Sequence, residues 1–143
     1  MTVPFAVREL DHVVLRIRDL ERSLAFYEGV LGCRVEKRQE HIGLVQLRAG
    51  RSLIDLVPLD GKLGSAGGAG PGREGRNVDH LCLRVEPFDA AAIASHLRAN
   101  GIEPGEVESR YGAEGEGPSM YIVDPDGNVV ELKGPPGAVE AGR

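Results

Sequence analysis

Leu10-Asp11-His12-Val13-Val14-Leu15-Arg16-Ile17 returns 68 positions later as Val78-Asp79-His80-Leu81-Cys82-Leu83-Arg84-Val85. Asp, His, Leu and Arg are identical in register, and the other four positions pair apolar with apolar. Both octets have the short, β-rich apolar character of a strand. A helical pattern follows each of them. In the first half Asp19 can cap a helix whose Leu20, Leu24, Tyr27 and Leu31 recur at spacings of four, three and four, with a stop near Gly32. In the second half an alanine-rich stretch over residues 89–97 runs to Asn100-Gly101, again a helix-stop signal.

Three strand-like runs follow each helix, at 34–40, 43–48 and 52–57 and again at 103–109, 119–123 and 128–133. Asp124-Pro125-Asp126-Gly127 is a strong turn, because proline presets one φ and glycine accepts a positive one. Ser52-Leu53-Ile54-Asp55-Leu56 matches Asn128-Val129-Val130-Glu131-Leu132 at an offset of 76, and a longer loop around residues 110–117 absorbs the eight additional positions. The chain therefore reads as α+β, two tandem βαβββ modules. Module one covers 8–58 and module two 77–134, within a single domain over 8–134 and with a tail at 135–143. Between the modules lies a linker over 59–76. Seven glycines fall within 61–75 and almost no large apolar side chain does, so the segment reads as a flexible coil. It lacks the Gly-Lys-Ser/Thr ending that a phosphate-binding loop requires.

Composition excludes several function classes. Of 143 residues, 41% are hydrophobic and 27% charged, the balance of a soluble globular chain. A net charge of -5 argues against nucleic acid or an anionic membrane as partner, since both select a basic face. No apolar run approaches the roughly 20 residues that span a bilayer. The opening residues carry no secretory pattern, and two cysteines, Cys33 and Cys82, suit a reducing cytoplasm, the expected location.

The repeat places one histidine at the start of each first strand, His12 and His80, and one carboxylate late in each last strand, Asp55 and Glu131. A single strand histidine is more often a hydrogen-bonded core residue than a ligand, but recurrence in both halves, each time with a carboxylate, points to a metal site. Two imidazoles and two carboxylates suit Zn, Ni, Mn, Co or Fe(II) better than Ca or Mg. Asp11 and Asp79 adjoin the histidines, yet neighbours on a strand face opposite ways, so an Asp–His pair is not expected. His41 and His96 have no counterpart in the other half and read as surface. Cys82 shares the parity of His80 and reads as a small buried apolar residue.

The paired modules, His12, the helix from Asp19 to Tyr27, Gly32, His80 and Asp124-Pro125-Asp126-Gly127-Asn128-Val129-Val130-Glu131-Leu132 resemble the vicinal oxygen chelate superfamily. Glyoxalase I, methylmalonyl-CoA epimerase, fosfomycin-resistance enzymes, extradiol dioxygenases and metal-free bleomycin-binding proteins belong to it. The resemblance implies a cup-shaped mixed β-sheet with helices outside, and a divalent metal held by His12, His80 and Glu131. Asp55 matches the position where glyoxalase I-like enzymes carry glutamate and epimerases glutamine. Being one methylene shorter, it is expected to bind the metal directly or through water. The run ending in Gly115-Glu116-Gly117-Pro118-Ser119-Met120-Tyr121 is similar to one beside the substrate in fosfomycin-resistance enzymes. Ser119 and Tyr121 share strand parity, and Arg110 offers a bidentate grip on a carboxylate, phosphonate or phosphate.

The leading expectation is a metal-dependent glyoxalase-like lyase or isomerase acting on a small oxygen-chelating substrate, with Glu131 or Asp55 as proton shuttle. Epoxide opening, ring-cleaving oxygenation and metal-free drug binding are the alternatives. Members of this length resemble homodimers, which is the expected assembly.

Overall fold

Each half of the chain builds one four-stranded mixed sheet with a helix after its first strand, in a computed structural model that describes residues 3–137. The expected tail falls outside the described residues from 138 onward. In the first half the elements are β1 (His12–Ile17), α1 (Leu20–Leu24), β2 (Arg34–Gln39), β3 (Leu44–Ala49) and β4 (Ser52–Pro58), in sheet order β1-β4-β3-β2. In the second half they are β5 (His80–Arg84), α2 (Ala90–Ala99), β6 (Glu108–Gly112), β7 (Gly115–Val123) and β8 (Val129–Lys133), in order β5-β8-β7-β6. The first and last strands of each half pair in parallel, and the other pairs are antiparallel. The architecture is thus α+β, a βαβββ unit made twice. The chain divides into the units Met1–Gly70 and Pro71–Arg143.

The helix ends follow from local chemistry. Asp19 accepts a hydrogen bond from the Arg22 amide at 3.2 Å, and Asp89 accepts one from the Ala92 amide at 3.1 Å. Gly32 and Gly101 end the two helical segments at φ +78° and +74°, where a side chain would be strained. The first helix is α-helical only to Leu24 and continues as a wider π-helical stretch over Ala25–Val30. A wider turn brings consecutive side chains closer to one face. Phe26 and Tyr27 are both buried and meet edge to face at 4.8 Å.

Strand alternation separates an apolar face from a polar one in each sheet. Ile17, Val45, Leu47, Ile54 and Leu56 are buried on the first sheet, and Met120, Ile122, Val130 and Leu132 on the second. Each such side chain contributes about 1.5–3 kcal/mol by leaving water. His12, Gln46 and Asp55 share the opposite face of the first sheet, and His80, Tyr121 and Glu131 that of the second.

Two local expectations need correction. The strand expected at 103–109 begins only at Glu108, and the expected loop at 110–117 is a tight hairpin between β6 and β7. The glycines that suggest a loop are instead strand residues with a lysine side chain packed over them. A Cβ at Gly112 would lie 2.6 Å from Lys133 Cε, and one at Gly117 would lie 2.9 Å from Lys133 Nζ.

The glycine-rich connection is also more structured than a free coil in its first part. Arg16 donates to the carbonyls of Gly64 at 2.8 Å and Ala69 at 3.0 Å, and also to that of Gly68. Gly64 sits so close to β4 that a Cβ there would come within 1.9 Å of the Pro58 carbonyl oxygen. Arg84, the repeat mate of Arg16, ties down acidic side chains instead, holding Glu114 at 2.6 Å and Glu86 at 3.0 Å. Among the described residues no helix is long and apolar enough to cross a membrane.

Candidate functional site

His12 and His80 are each bonded to the aspartate that precedes them. His12 Nδ1 lies 2.7 Å from Asp11 Oδ1, and His80 Nδ1 lies 2.8 Å from Asp79 Oδ2. This corrects the expectation from strand alternation. The strands begin at the histidines, so each aspartate stands just before regular extended backbone and is free to turn back. An ionised carboxylate only accepts, so each Nδ1 carries the hydrogen and Nε2 is the nitrogen left for other partners. The bond to Asp11 raises the His12 pKa above its ordinary 6.5, partly offset by desolvation and reinforced by the charge of Asp55.

In the second unit the expected residues form one connected group. His80 Nε2 is 3.1 Å from Oε1 of Glu131, which is buried, and the His80 ring meets Tyr121 edge to face at 5.3 Å. Tyr121 lies beneath the Arg110 guanidinium, whose Cζ is 4.4 Å from the ring centroid. Arg110 Nη1 donates to Ser119 Oγ at 2.6 Å and to the Ser119 carbonyl at 3.0 Å, while Nη2 donates to Glu108 at 2.6 Å. The sheet register explains the grouping: Tyr121 opposes Glu131, and Arg110 opposes Gly117, which leaves the guanidinium room to lie across the face. Cys82 opposes Glu131 on the same face. Cys82 is exposed rather than buried as expected, and desolvation, then the neighbouring Glu131 charge, pushes its thiol up to about 11.

The first unit differs. Asp55 is buried at 3% exposure, and its Oδ2 accepts from Gln46 Nε2 at 3.2 Å. Gln39 donates in turn to Gln46 Oε1 at 3.4 Å. Asp55 Oδ1 is buried with no hydrogen-bond partner among the described residues, and Asp55 makes no hydrogen bond to His12 there. The shorter aspartate does not span the gap that Glu131 spans. A buried carboxylate oxygen without a partner is costly, and a ligand that arrives there removes the cost. Sequence reasoning missed Gln46. Its signal is the Gln46–Asp55 register across the β3–β4 hairpin, with shared parity.

His41 and His96 are exposed, as expected. Among the described residues no group of three or more His, Cys, Asp and Glu side chains is gathered in one place. The donors come as a histidine and a carboxylate in each unit.

A profile of the Glyoxalase/Bleomycin resistance protein/Dioxygenase superfamily matches residues 9–132. Human mitochondrial methylmalonyl-CoA epimerase is 28% identical over 130 residues, covering 87% of this chain and 72% of the relative. A lactoylglutathione lyase of Salmonella typhimurium is 30% identical over 129 residues, covering 86% and 90%. A virulence protein from the same organism is 31% identical over 135 residues, covering 92% and 87%. The crystal structure of that virulence protein superposes with a TM-score of 0.73 over 92% of this chain and 99% of its own.

Proposed function

The chain belongs to the glyoxalase/bleomycin resistance protein/dioxygenase superfamily, and we propose that it is a divalent-metal-dependent enzyme of glyoxalase-like lyase or isomerase chemistry. The observation that carries this reading is the repeated pairing of a histidine with a preceding aspartate through Nδ1. Metal-binding histidines characteristically donate their other ring N–H to a carboxylate, which sets the tautomer and aims Nε2. The partnerless Asp55 Oδ1 supports the same reading, because it is a buried anionic oxygen prepared to ligate.

His12, Asp55, His80 and Glu131 would be the ligands, two nitrogens and two oxygens, a set that suits Zn, Ni, Mn, Co or Fe(II). When bound, such an ion would supply Lewis acidity toward the oxygens of a small substrate. Glu131 is the first choice for moving the proton between substrate carbons, since its carboxylate is buried and stands 3.1 Å from His80 Nε2. Asp55 is the alternative, with Gln46 holding Oδ2 and Oδ1 left to accept a proton. Tyr121 and Ser119 present hydroxyls to the same face, and Arg110 orients both. The names of the relatives, an epimerase and a lyase, support chemistry that shifts a proton rather than chemistry that adds oxygen. The two free cysteines and the acidic net charge support a cytoplasmic protein acting on a small molecule, and the short modules support a homodimer.

The test is metal content of protein purified without chelator, then turnover of hemithioacetals, acyl-CoA thioesters, epoxides and catechols with and without added divalent ions. Turnover of a hemithioacetal or thioester that depends on the ion supports the reading. Metal-independent turnover, or ring cleavage of a catechol, overturns it.

A further inference from the structure

Lys133 is 6% exposed on the same face of β8 as Glu131, two residues further along. Its stem runs over Gly112 and Gly117, and its Nζ donates to the Gly115 carbonyl at 3.1 Å. That is the single hydrogen bond the ammonium makes among the described residues, although it has three to give. Among those residues no carboxylate pairs with it. Every acidic side chain on the surrounding strands and their hairpin turn is directed elsewhere: Glu114 to Arg84, Glu108 to Arg110, Glu116 to Ser109 and Glu131 to His80. A buried cation without a counter-charge is costly, and the hairpin glycines keep open the space that its side chain fills. Arg110, expected to grip an anion, has instead committed its guanidinium to Glu108 and Ser119.

We propose that the Lys133 ammonium is the counter-charge for an anionic oxygen group of the substrate, a carboxylate or a phosphate-type group, and so determines substrate class. This rests on the reading of the polar face as an active site and names the kind of molecule it takes. The Lys133 and Glu131 backbones stand about 6–7 Å apart on the strand, and the lysine stem runs on over Gly117 and Gly112, away from the Tyr121–Glu131 pair, so the anionic group lies further than that from the Glu131 position. The substrate is therefore an acid long enough to keep its reacting oxygens near Glu131 while its charged end sits at Lys133.

The experiment measures the melting temperature of the full-length protein against inorganic phosphate and malonate, with chloride at matched ionic strength as reference. Wild type, Lys133→Met and Lys133→Gln are compared, each with and without chelator. The expected result is a saturable stabilisation of wild type by phosphate or malonate beyond that by chloride. Both variants should lose at least tenfold in apparent affinity, and Lys133→Met without anion should melt no lower than wild type. The Lys133→Gln side chain keeps a donor for the Gly115 carbonyl, so a variant that folds normally yet ignores the anion isolates the charge. An unchanged response in the variants overturns the proposal, as does a wild type that answers phosphate and malonate only as it answers chloride. A response that vanishes with chelator assigns the anion to the metal and overturns it too. Because the readout needs no turnover and no metal, failure of the metal-enzyme reading leaves this result interpretable.

Discussion

His80 Nε2 reaches Oε1 of Glu131 at 3.1 Å. The equivalent pair in the first unit, His12 and Asp55, makes no hydrogen bond among the described residues, and Asp55 is held by Gln46 instead. One methylene separates the two carboxylates, and it breaks the symmetry of an otherwise regular positional repeat. It also makes the two units separately testable.

Replacing His12 or His80 by alanine removes one proposed ligand from one unit. Each substitution should weaken metal binding by about 10–100-fold or more, the range for losses in or beside a ligand shell. Metal stoichiometry of dilute, dialysed protein, read by atomic emission, checks this. Full stoichiometry in both variants would show that the ion is held elsewhere.

At Asp55 the direction depends on reach. Asp55→Ala should weaken metal binding, while Asp55→Glu should preserve or strengthen it, because the longer side chain matches Glu131. Isothermal titration with the ion that copurifies distinguishes the two. If neither variant changes the affinity, Asp55 is a buried polar residue and the ligand set is His12, His80 and Glu131.

Asp11→Asn removes the main cause of the raised His12 pKa. The ring's titration midpoint, followed by NMR, should fall toward the ordinary 6.5. The sign for folding follows: the Asp11–His12 bond favours the folded chain below the ordinary pKa, and that contribution fades as pH rises through the raised value. Metal affinity should also fall by about 10–100-fold although proton competition is weaker, because the amide, unlike the carboxylate, carries no charge and can turn its NH2 to the ring, so it no longer fixes the tautomer. A midpoint unmoved by the substitution would show that Asp11 does not govern the ring.

Two glycines in the connecting segment should behave oppositely. Gly64→Ala places a Cβ against the Pro58 carbonyl and should cost about 1–3 kcal/mol, seen as a lower melting temperature. At Gly72 a Cβ meets nothing within 4 Å, and no positive φ stands in the way. Alanine there should be neutral or stabilise by about 0.4–1 kcal/mol, through the unfolded chain. Equal effects at the two positions would mean that the packing of residues 64–70 against the first unit is wrong.

The duplicated octets, the two caps at Asp19 and Asp89 and the Asp124–Gly127 turn were legible because each is a local signal. Strand periodicity, capping and turn chemistry act over a few residues, and an internal repeat confirms each half against the other. The positions of His12, His80, Asp55 and Glu131 followed from the same repeat. Their contacts did not. Alternation on an ideal strand separated Asp11 from His12 and Asp79 from His80, and it failed because the strands start two residues later than the octets, at the histidines themselves. The glycines at 112, 115 and 117 read as a loop when taken alone. Only the side chain of Lys133, brought opposite Ser119 by the β7–β8 pairing, shows why Gly112 and Gly117 are small. Likewise Gly64 looks like linker until β4 passes within contact of it. Sequence by itself determined the order and type of elements, since those depend on neighbours along the chain. Tertiary structure decided which carboxylate meets which cation, because sheet register brings together residues that the chain keeps apart.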